Sequence, residues 1–450
     1  MEGHTSREGN SCTRGPAAPV LAWYGDDFTG STDVMEMLSL HGRSAVLFLE
    51  RPDARLLARF ASYQAFGLAG SSRSRSPEWM DAELPLAFGF LKALGTPLLH
   101  YKVCSTFDSS PQVGSIGRAM EIGQRVTGSR WVPIVAGAPA MSRFTFFGHL
   151  FAANAGEVFR IDRHPTMSRH PVTPMDEADL RVHLAKQTAR RIGLMSFRDV
   201  VAADAAERLS QASQNHDAVL FDVIDAATLA GTGRLLWDQA QQAPLFVVGS
   251  SGVEHALAAG WGAQAMPNPA NVPVSQVLVL SGSCSPMTSA QIATAVANGF
   301  AAVRLDPVAL GNGDRDAMQR AVAEAIAAWR AGRSVVMYSA GHDAVQLDRD
   351  ISGRPGFRES LGELSGRALC AVLDACPEVR RVVVAGGDTS SWAGSLLGVQ
   401  ALTFVCSLAP GAPLCRAWSN DAQRDGIEIV FKGGQCGAPE FFLQVRGDRT

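Results

Sequence analysis

The stretch PVLAWYGDDFTGSTDVMEMLSLHGRSAVLFL, residues 19–49, decides the fold class of this chain. It starts with an apolar run of strand length, passes through a turn of acidic and small residues, and continues as a helix-like segment that Gly42 can end. A second apolar run, SAVLFL, follows at once. Apolar runs without polar alternation are typical of parallel strands that are buried on both faces.

The same alternation of apolar runs and helix-like segments continues along most of the chain. Six further runs are rich in Val, Ile or Leu, and most end in Gly, Ser or Asp: WVPIVAG, AVLFDV, PLFVVGSS, VLVLSGS, RSVVMYSAG and RVVVAGGD. The pattern predicts an α/β protein with two domains, each an open, mostly parallel sheet with flanking helices. Because such sheets bind ligands at the carboxyl ends of their strands, we expect the active site in the cleft between the domains.

The domain boundaries are predicted from local composition. The segment GAQAMPNPANVPVSQ, residues 262–276, contains three prolines and two asparagines that interrupt helical periodicity. We interpret it as a linker between an N-terminal domain, residues 17–261, and a C-terminal domain, residues 277–450. Residues 1–16 are polar, lack the apolar core of a signal peptide and are predicted to be a disordered tail.

Composition excludes several classes of function. The 450 residues include 40 Lys and Arg and 43 Asp and Glu, for a net charge of −3, whereas proteins that bind nucleic acids or anionic membranes concentrate positive charge. No apolar run is long enough for a membrane span. The 8 cysteines are scattered without a C-x-x-C pair. They are typical of reduced thiols, so we expect a cytoplasmic protein.

The turn that opens the first helix carries two adjacent acids. Asp26 and Asp27 end the first predicted strand, and Gly30 permits a close approach to the helix that follows. Two carboxylates in one cleft can hold Mg²⁺, orient hydroxyls, or divide so that one of them stays basic. The alternative interpretation is that Asp26 only caps a turn while Asp27 faces water.

A second polar stretch, HYKVCSTFDSS at residues 100–110, follows another apolar run. It places Lys102 near the end of a strand, with Ser105, Thr106 and Asp108 behind it. A cation followed by hydroxyls and an acid can cradle a polyhydroxy acid, with the lysine on its carboxylate. The alternative is a solvated turn that leads into a helix.

Three stretches of the C-terminal domain suit phosphate binding. In VLVLSGSCSPMTSAQI, residues 277–292, Ser285 is a natural N-cap, and the exposed amides of such a helix start attract phosphate. Two glycine-rich turns, GGDTS and KGGQ, let a phosphate approach the backbone, although each could be a simple glycine turn. The candidate nucleotide-binding residues are Ser283, Ser285, Gly386, Gly387, Asp388, Thr389, Gly433 and Gly434.

A rival metal site is conceivable in RIDRHPTMSRHPVTPMDEADL, which contains Asp162, His164, His170 and Asp176. The histidine spacing matches no helical pair, and neighbouring arginines disfavour a cation. We interpret the segment as a rigid loop over the cleft or between the domains, and we assign no metal ligand in it. Asp388 could meet a metal directly or through water.

Taken together, the motifs DDFTGSTD, KVCSTFDSS, HPVTPM, SGSCSPMTSAQI, GGDTS and KGGQCGAPEFF resemble those of the four-carbon acid sugar kinase family, over nearly the whole chain. The resemblance implies an N-terminal sugar-acid domain and a C-terminal nucleotide domain. It also implies ATP and Mg²⁺ as cofactors. The reaction would transfer the γ-phosphoryl group to a hydroxyl of a tetronate, a 3-oxo-tetronate or a branched relative such as 3-oxo-isoapionate.

The resemblance also implies a set of site residues. The acceptor site would comprise Asp26, Asp27, Arg51, Lys102, Ser105, Thr106 and Asp108. The ATP site would comprise Ser285, Gly386 to Thr389, and Gly434. Asp27 is the expected base and Asp26 would bind a hydroxyl or Mg²⁺, while Lys102 would neutralise the carboxylate.

Some residues depart from the family pattern, and other functions stay open. Phe28 and Ser31 replace the Leu and Ala of the DDLTGA motif that many members carry. The segments GLAGSSRSRSPEWM and DRHPTMSRHPVTPM are longer and more basic than in the shorter tetronate kinases. Both departures argue against the usual tetronate substrate. An NAD-dependent sugar-acid dehydrogenase would need G-x-G-x-x-G after the first strand, where this chain carries acids. A non-catalytic sugar-acid sensor is the other alternative. A homodimer is possible.

Overall fold

The structure is a computed structural model, and it describes residues 19–154, 156–340, 356–386 and 393–448. The chain is an α/β protein built on a mostly parallel sheet, which confirms the predicted class. No helix in these ranges is both long and apolar enough to cross a bilayer. Gly387, Asp388 and Thr389, three of the predicted nucleotide-binding residues, lie outside the described residues.

The N-terminal half contributes eight parallel strands to the large sheet, in the order β2-β3-β1-β4-β11-β5-β10-β9. These strands are β1 (Leu21–Gly25), β2 (Ala45–Phe48), β3 (Ala65–Ala69), β4 (Leu98–Lys102), β5 (Val132–Val135), β9 (Ile192–Met195), β10 (Ala218–Phe221) and β11 (Leu245–Gly249). A separate antiparallel sheet contains β6 (Arg143–Phe146), β7 (His149–Asn154) and β8 (Glu157–Arg160). The helices are α1 (Phe28–Leu40), α2 (Ala54–Ala58), α3 (Pro77–Ala93), α4 (Ile116–Thr127), α5 (Leu180–Ala185), α6 (Phe197–Val200), α7 (Ala205–Asn215), α8 (Ala226–Gln242) and α9 (Gly252–Gly260).

The C-terminal half repeats the architecture with five parallel strands and an antiparallel pair, in the order β13-β14-β12-β15-β18-β17-β16. The strands are β12 (Leu278–Ser281), β13 (Ala301–Arg304), β14 (Val335–Tyr338), β15 (Arg381–Ala385), β16 (Val399–Ser407), β17 (Pro413–Ser419) and β18 (Glu428–Lys432). The described helices are α10 (Pro286–Ala297), α11 (Pro307–Gly311), α12 (Arg315–Arg330), α13 (Phe357–Ala375) and α14 (Phe441–Arg446).

The two sheets are joined edge to edge into one 15-stranded sheet, a feature that the sequence did not indicate. β16 pairs antiparallel with β2, with Leu402 opposite Leu47. An uncovered β2 would present unpaired N–H and C=O groups at an open edge, so this pairing satisfies them. Phe28 also packs on Phe431 across the junction, with 4.5 Å between ring centroids.

The segment that connects the two halves crosses the surface. Residues 263–276 contain neither helix nor strand and are mostly exposed. The Asn268 side chain exchanges two hydrogen bonds with Ser407, each 2.8 Å long. The main hydrophobic cores on both faces of the sheet consist largely of strand residues that are completely buried, as the unbroken apolar runs predict.

Candidate active site

The two adjacent acids follow β1 and have different surroundings. The Asp26 side chain is 6% exposed, whereas that of Asp27 is 32% exposed. Asp27 is the N-cap of α1, and its Oδ1 accepts a hydrogen bond of 2.7 Å from the Gly30 amide. A Cβ atom on Gly30 would lie 2.6 Å from Asp27 Oδ1 and 3.0 Å from Lys102 Nζ, so a larger residue would crowd both groups at the helix start.

Arg73 holds both carboxylates, and the sequence analysis missed it. Its Nε and Nη2 donate to Asp26 at 3.1 and 3.0 Å, and its Nη1 lies 2.7 Å from Asp27 Oδ2. Burial raises the pKa of Asp26 to about 6, and the charge of Arg73 opposes that rise. The signal that could have revealed this residue is the basic SSRSRS segment directly after β3, at the same edge of the sheet as the acids.

Lys102 ends β4 beside the end of β1, where it pairs in register with Gly25. Its side chain is 4% exposed, and Nζ donates to the Val103 carbonyl at 3.0 Å and lies 3.9 Å from Asp33 Oδ2. The lysine is therefore shielded behind the acidic turn, and its charge is shared with an α1 carboxylate that the sequence analysis did not include.

The loop after Lys102 is tied to the HPVTPM segment. Thr106 Oγ1 donates to Asp108 Oδ1 at 2.5 Å, and Thr173 Oγ1 donates to Asp108 Oδ2 at 3.2 Å. The Thr173 amide in turn donates to His170 Nδ1 at 3.1 Å. Asp108 therefore already accepts hydrogen bonds from two protein hydroxyls, while Ser105 is buried in the same loop.

The histidine segment does not assemble a metal centre among the described residues, where no three His, Cys, Asp or Glu side chains could hold an ion together. Its acids are already paired. Asp162 lies 2.6 Å from Arg160 and Asp176 lies 2.8 Å from Lys186. The segment contacts the loop of Asp108 through Thr173.

A cleft of about 1720 Å³ separates the two halves of the molecule. Arg51, which is exposed just after β2, lies in its wall. Other lining residues from the N-terminal half are Tyr24, Phe28, Ser71 and Arg75, and those from the C-terminal half include Ser283, Cys284, Gly386 and Gly434. The cleft thus brings Arg51 and Phe28, the residue next to Asp27, to the same space as the predicted phosphate turns. The other predicted acceptor residues, Asp26, Asp27, Lys102, Ser105, Thr106 and Asp108, do not line it.

The start of α10 is built as the sequence predicts. Ser285 is the N-cap, its Oγ accepts a hydrogen bond of 3.2 Å from the Met287 amide, and Pro286 takes the first helical position. Ser283 Oγ accepts from the Ser285 amide at 3.2 Å, which shapes the turn ahead of the helix. Ser283 and Cys284, just ahead of α10, line the cleft, and the positive end of the helix dipole can attract a negatively charged group there.

The loop after β18 packs on that helix start. A Cβ atom on Gly434 would lie 2.4 Å from Ser283 Oγ, so a glycine is needed for the contact. Thr288 Oγ1 donates to the Gly434 carbonyl at 2.7 Å. Gly433 precedes it with room to spare, since the nearest atom to its would-be Cβ is Cys436 Sγ at 3.5 Å.

Gly386 and Lys432 lie next to this loop. The Gly386 amide at the end of β15 donates to the Lys432 carbonyl at 3.0 Å, and its φ of 118° is open to glycine alone. The Lys432 side chain is completely buried and donates to Thr288 Oγ1 at 3.3 Å. Burial lowers the pKa of Lys432 to about 8. A buried cation under a helix start adds to the positive potential there.

Two family models match successive parts of the chain. Residues 21–257 match the family model of a sugar-binding N-terminal domain, and residues 278–442 match that of a nucleotide-binding C-terminal domain. In fold, the chain is similar to a Haemophilus influenzae protein (TM-score 0.74, 23% identity, 95% of this chain and 99% of that one). A Salmonella typhimurium protein gives a TM-score of 0.76 at 24% identity, over 95% of this chain and 98% of that one.

Among characterised relatives, the chain is 51% identical to the 3-oxo-isoapionate kinase of Paraburkholderia graminis, over 98% of this chain and 97% of that protein. It is 32% identical to the 3-oxo-tetronate kinase of Cupriavidus necator, over 94% of this chain and 96% of the relative. The similarity to kinases argues against both the dehydrogenase and the sensor. The chain therefore belongs to the four-carbon acid sugar kinase family and is a phosphotransferase that uses ATP to phosphorylate a hydroxyl of a sugar acid.

Proposed function

We propose that this protein transfers the γ-phosphoryl group of ATP to a hydroxyl of 3-oxo-isoapionate. The observation that carries the proposal is the 51% identity to a 3-oxo-isoapionate kinase over nearly the full length of both chains, against 32% and 30% to two 3-oxo-tetronate kinases. The basic SSRSRS segment, whose Arg75 lines the cleft, supports an acceptor site that differs from that of the tetronate kinases.

Asp27 is proposed as the base. The hydroxyl oxygen of the acceptor attacks the γ-phosphorus, the bond from that phosphorus to the bridging oxygen of ADP breaks, and Asp27 takes the hydroxyl proton. The greater exposure of the Asp27 side chain, 32% against 6% for Asp26, supports this assignment. Phosphoryl transfer depends mainly on alignment and charge neutralisation, so one positioned carboxylate suffices.

Asp26, Lys102, Ser105, Thr106, Asp108 and Arg51 are proposed to form the rest of the acceptor site. Lys102 supplies positive charge from behind the acidic turn, which favours an acidic acceptor. Asp108 and Thr106 are linked by a hydrogen bond, and an acceptor hydroxyl can join that pair. Arg51 lines the cleft from the same N-terminal half and can approach the acceptor or the phosphates.

The triphosphate is proposed to bind at the turn of Ser283 and Ser285, with Gly386, Gly433 and Gly434 around it. The capped start of α10 and the close packing of Gly434 on Ser283 support this assignment. Gly387, Asp388 and Thr389 remain assigned to the same site. When bound, Mg²⁺ supplies charge neutralisation on the phosphate oxygens, and it needs only one or two carboxylates from the protein. Asp388 and Asp26 are both candidate ligands.

A rate screen tests the proposal. Purified protein with ATP and Mg²⁺ is given freshly prepared 3-oxo-isoapionate, the 3-oxo-tetronates, threonate or erythronate, and ADP formation is followed with a coupled assay. We expect the highest kcat/KM with 3-oxo-isoapionate and a product heavier by one phosphoryl group. A higher kcat/KM with a 3-oxo-tetronate would overturn the choice of acceptor, and no activity on any sugar acid would overturn the proposed reaction.

A further inference from the structure

Arg143 lies at the carboxyl edge of the N-terminal half of the sheet. It starts β6 after the turn that follows β5. In register across the sheet, Gly249 of β11 lies between Lys102 of β4 and Val135 of β5. The chain that leaves Val135 towards Arg143 therefore begins two strand spacings from Lys102, or about 10 Å. Arg143 thus belongs to the same edge as the acceptor residues.

The guanidinium of Arg143 is fixed on one side only. Nη1 donates to three backbone carbonyls, those of Met141 and Ser142 at 3.1 Å and that of Ala153 at 3.3 Å. Nε is shielded from solvent and has no partner among the described residues. Nη2 donates to none of the described residues, and no carboxylate of the described chain forms an ion pair with this arginine. The Nε–Nη2 edge therefore has no hydrogen-bond acceptor among the described residues.

Other arginines in this protein use the Nε–Nη2 edge to bind carboxylates. Among the described residues, Nε and Nη2 together hold both oxygens of a carboxylate in five pairs: Arg73 with Asp26, Arg118 with Asp81, Arg160 with Asp162, Arg181 with Asp179, and Arg446 with Asp448. This arrangement gives two parallel charge-assisted hydrogen bonds. Arg143 presents the same geometry without a protein carboxylate, although its Nη1 is anchored and its side chain is partly buried.

Arg143 also shares a neighbour with the acidic turn. Burial lowers the pKa of Arg143, and nearby Cys104 opposes that change. Burial also lowers the pKa of Arg73, whereas the nearby Asp26, Cys104 and Asp27 raise it. Since Cys104 lies between Lys102 and Ser105 in the chain, both Arg73 and Arg143 lie near the loop of the acceptor site.

We propose that Arg143 binds the carboxylate of the sugar acid through its Nε–Nη2 edge and so makes the enzyme select an acid over a neutral analogue. The inference rests on the proposed function, because it needs an acidic acceptor at this edge of the sheet. It adds a direct hydrogen-bonding partner to the charge of Lys102, whose ammonium is shielded and turned towards Asp33. An anchored guanidinium loses little entropy when the carboxylate binds.

The test compares an acid with its uncharged counterpart. Calorimetry measures the binding of 3-oxo-isoapionate, of erythronate and of their carboxamides to the wild type, to Arg143→Met and to Arg143→Lys. The wild type should bind an acid about 10²-fold or more tightly than its carboxamide. Arg143→Met should bind acid and carboxamide nearly alike, and Arg143→Lys should fall between the two. Binding of ATP should be unchanged in both variants.

Arg160→Met is the matched control, because Arg160 lies in the same small sheet and its Nε–Nη2 edge is already occupied by Asp162. It should keep the full preference for the acid. If Arg143→Met also keeps that preference, or loses acid and carboxamide equally, Arg143 only supports the loop and the inference is wrong, while the kinase reaction stands. If the wild type binds neither acid, the proposed function itself fails and the inference with it.

Discussion

The guanidinium of Arg73 holds the carboxylate of Asp26 through two parallel hydrogen bonds, from Nε to Oδ2 at 3.1 Å and from Nη2 to Oδ1 at 3.0 Å. The third nitrogen of the same group reaches Asp27. One arginine therefore fixes the orientation of two adjacent carboxylates in a partly buried turn. Without it, burial and mutual repulsion would raise the pKa of Asp26 further above its present value of about 6.

Removal of Arg73 should damage both stability and catalysis. Arg73→Met leaves Asp26 buried without its counter-charge, which should cost about 3 kcal/mol of unfolding free energy. Displacement of Asp27 should also lower kcat/KM by about 10²-fold. Denaturant titration and initial rates measure the two effects. Adding Asp26→Asn to Arg73→Met should restore part of the stability but not the rate. If Asp26→Asn restores no stability, the loss does not come from an uncompensated Asp26 charge.

Asp27→Asn separates the base from the helix cap. Asparagine is as good an N-cap as aspartate, so α1 should be retained, whereas the proton acceptor is lost. We expect kcat to fall by about 10²–10⁴-fold with little change in ATP binding. Asp53→Asn is the matched control, because Asp53 caps α2 in the same way, through the Leu56 amide at 2.7 Å. Near wild-type turnover in a folded Asp27→Asn protein would remove Asp27 from the role of base.

Gly434→Ala should weaken ATP binding specifically. The new methyl group would meet Ser283 Oγ at 2.4 Å and Ser285 Cβ at 2.9 Å, so the loop or the turn before α10 must move. We expect the Kd for ATP to rise by about tenfold or more, which corresponds to about 1.4 kcal/mol, and binding of the sugar acid to be unchanged. Gly433→Ala, which has room for a methyl group, should have a smaller effect on Kd. Equal ATP affinity in Gly434→Ala and the wild type would contradict the placement of the phosphates.

Glu36 should make the junction between the two halves sensitive to pH. Glu36 on α1 accepts hydrogen bonds from the Ser407 hydroxyl and, at 3.2 Å, from the Gly411 amide. Burial raises its pKa from 4.5 to about 7, so its contribution to stability is fully present below pH 4.5 and is lost as the pH rises through 7. Glu36→Gln should escape this loss, which amounts to at most about 3 kcal/mol.

Thermal denaturation at pH 5 and pH 8 measures the effect of Glu36. The stability of Glu36→Gln relative to the wild type should increase from pH 5 to pH 8. Glu324→Gln is the matched control, since Glu324 is exposed on α12, and it should follow the wild type at both pH values. The same difference between Glu36→Gln and the wild type at both pH values would show that Glu36 does not titrate at the junction in this range.

Local sequence patterns predicted the helices and strands that neighbouring residues determine. The strand–turn–helix–strand pattern of residues 19–49 is present as β1, α1 and β2, because apolar runs and a capped helix start are encoded by neighbouring residues. Ser285 and Pro286 begin α10 as expected for the same reason. The placement of Asp26 and Asp27 at the end of β1 also followed from the pattern.

Contacts between distant segments could not be predicted. The pairing of β16 with β2 joins two domains of the chain and leaves no local signature. Arg73 stands in a serine-rich loop that looks solvated, and its partner Asp26 lies 47 residues away. Asp108 was expected to face the acceptor, yet it accepts a hydrogen bond from Thr173, which is 65 residues away. Side-chain pairs of this kind are set by tertiary packing and not by sequence spacing.

The central claim is that the acidic turn of one half and the phosphate turn of the other serve a single transfer reaction. A single-turnover experiment tests it most directly, with excess enzyme, Mg²⁺, ATP labelled at the γ-phosphoryl group, and freshly prepared 3-oxo-isoapionate, followed by mass spectrometry. The account predicts that the label moves onto the sugar acid in the wild type, one phosphoryl group per ADP, and about 10²–10⁴-fold more slowly in Asp27→Asn. Label that appears only in inorganic phosphate, or transfer at the wild-type rate in Asp27→Asn, would contradict it.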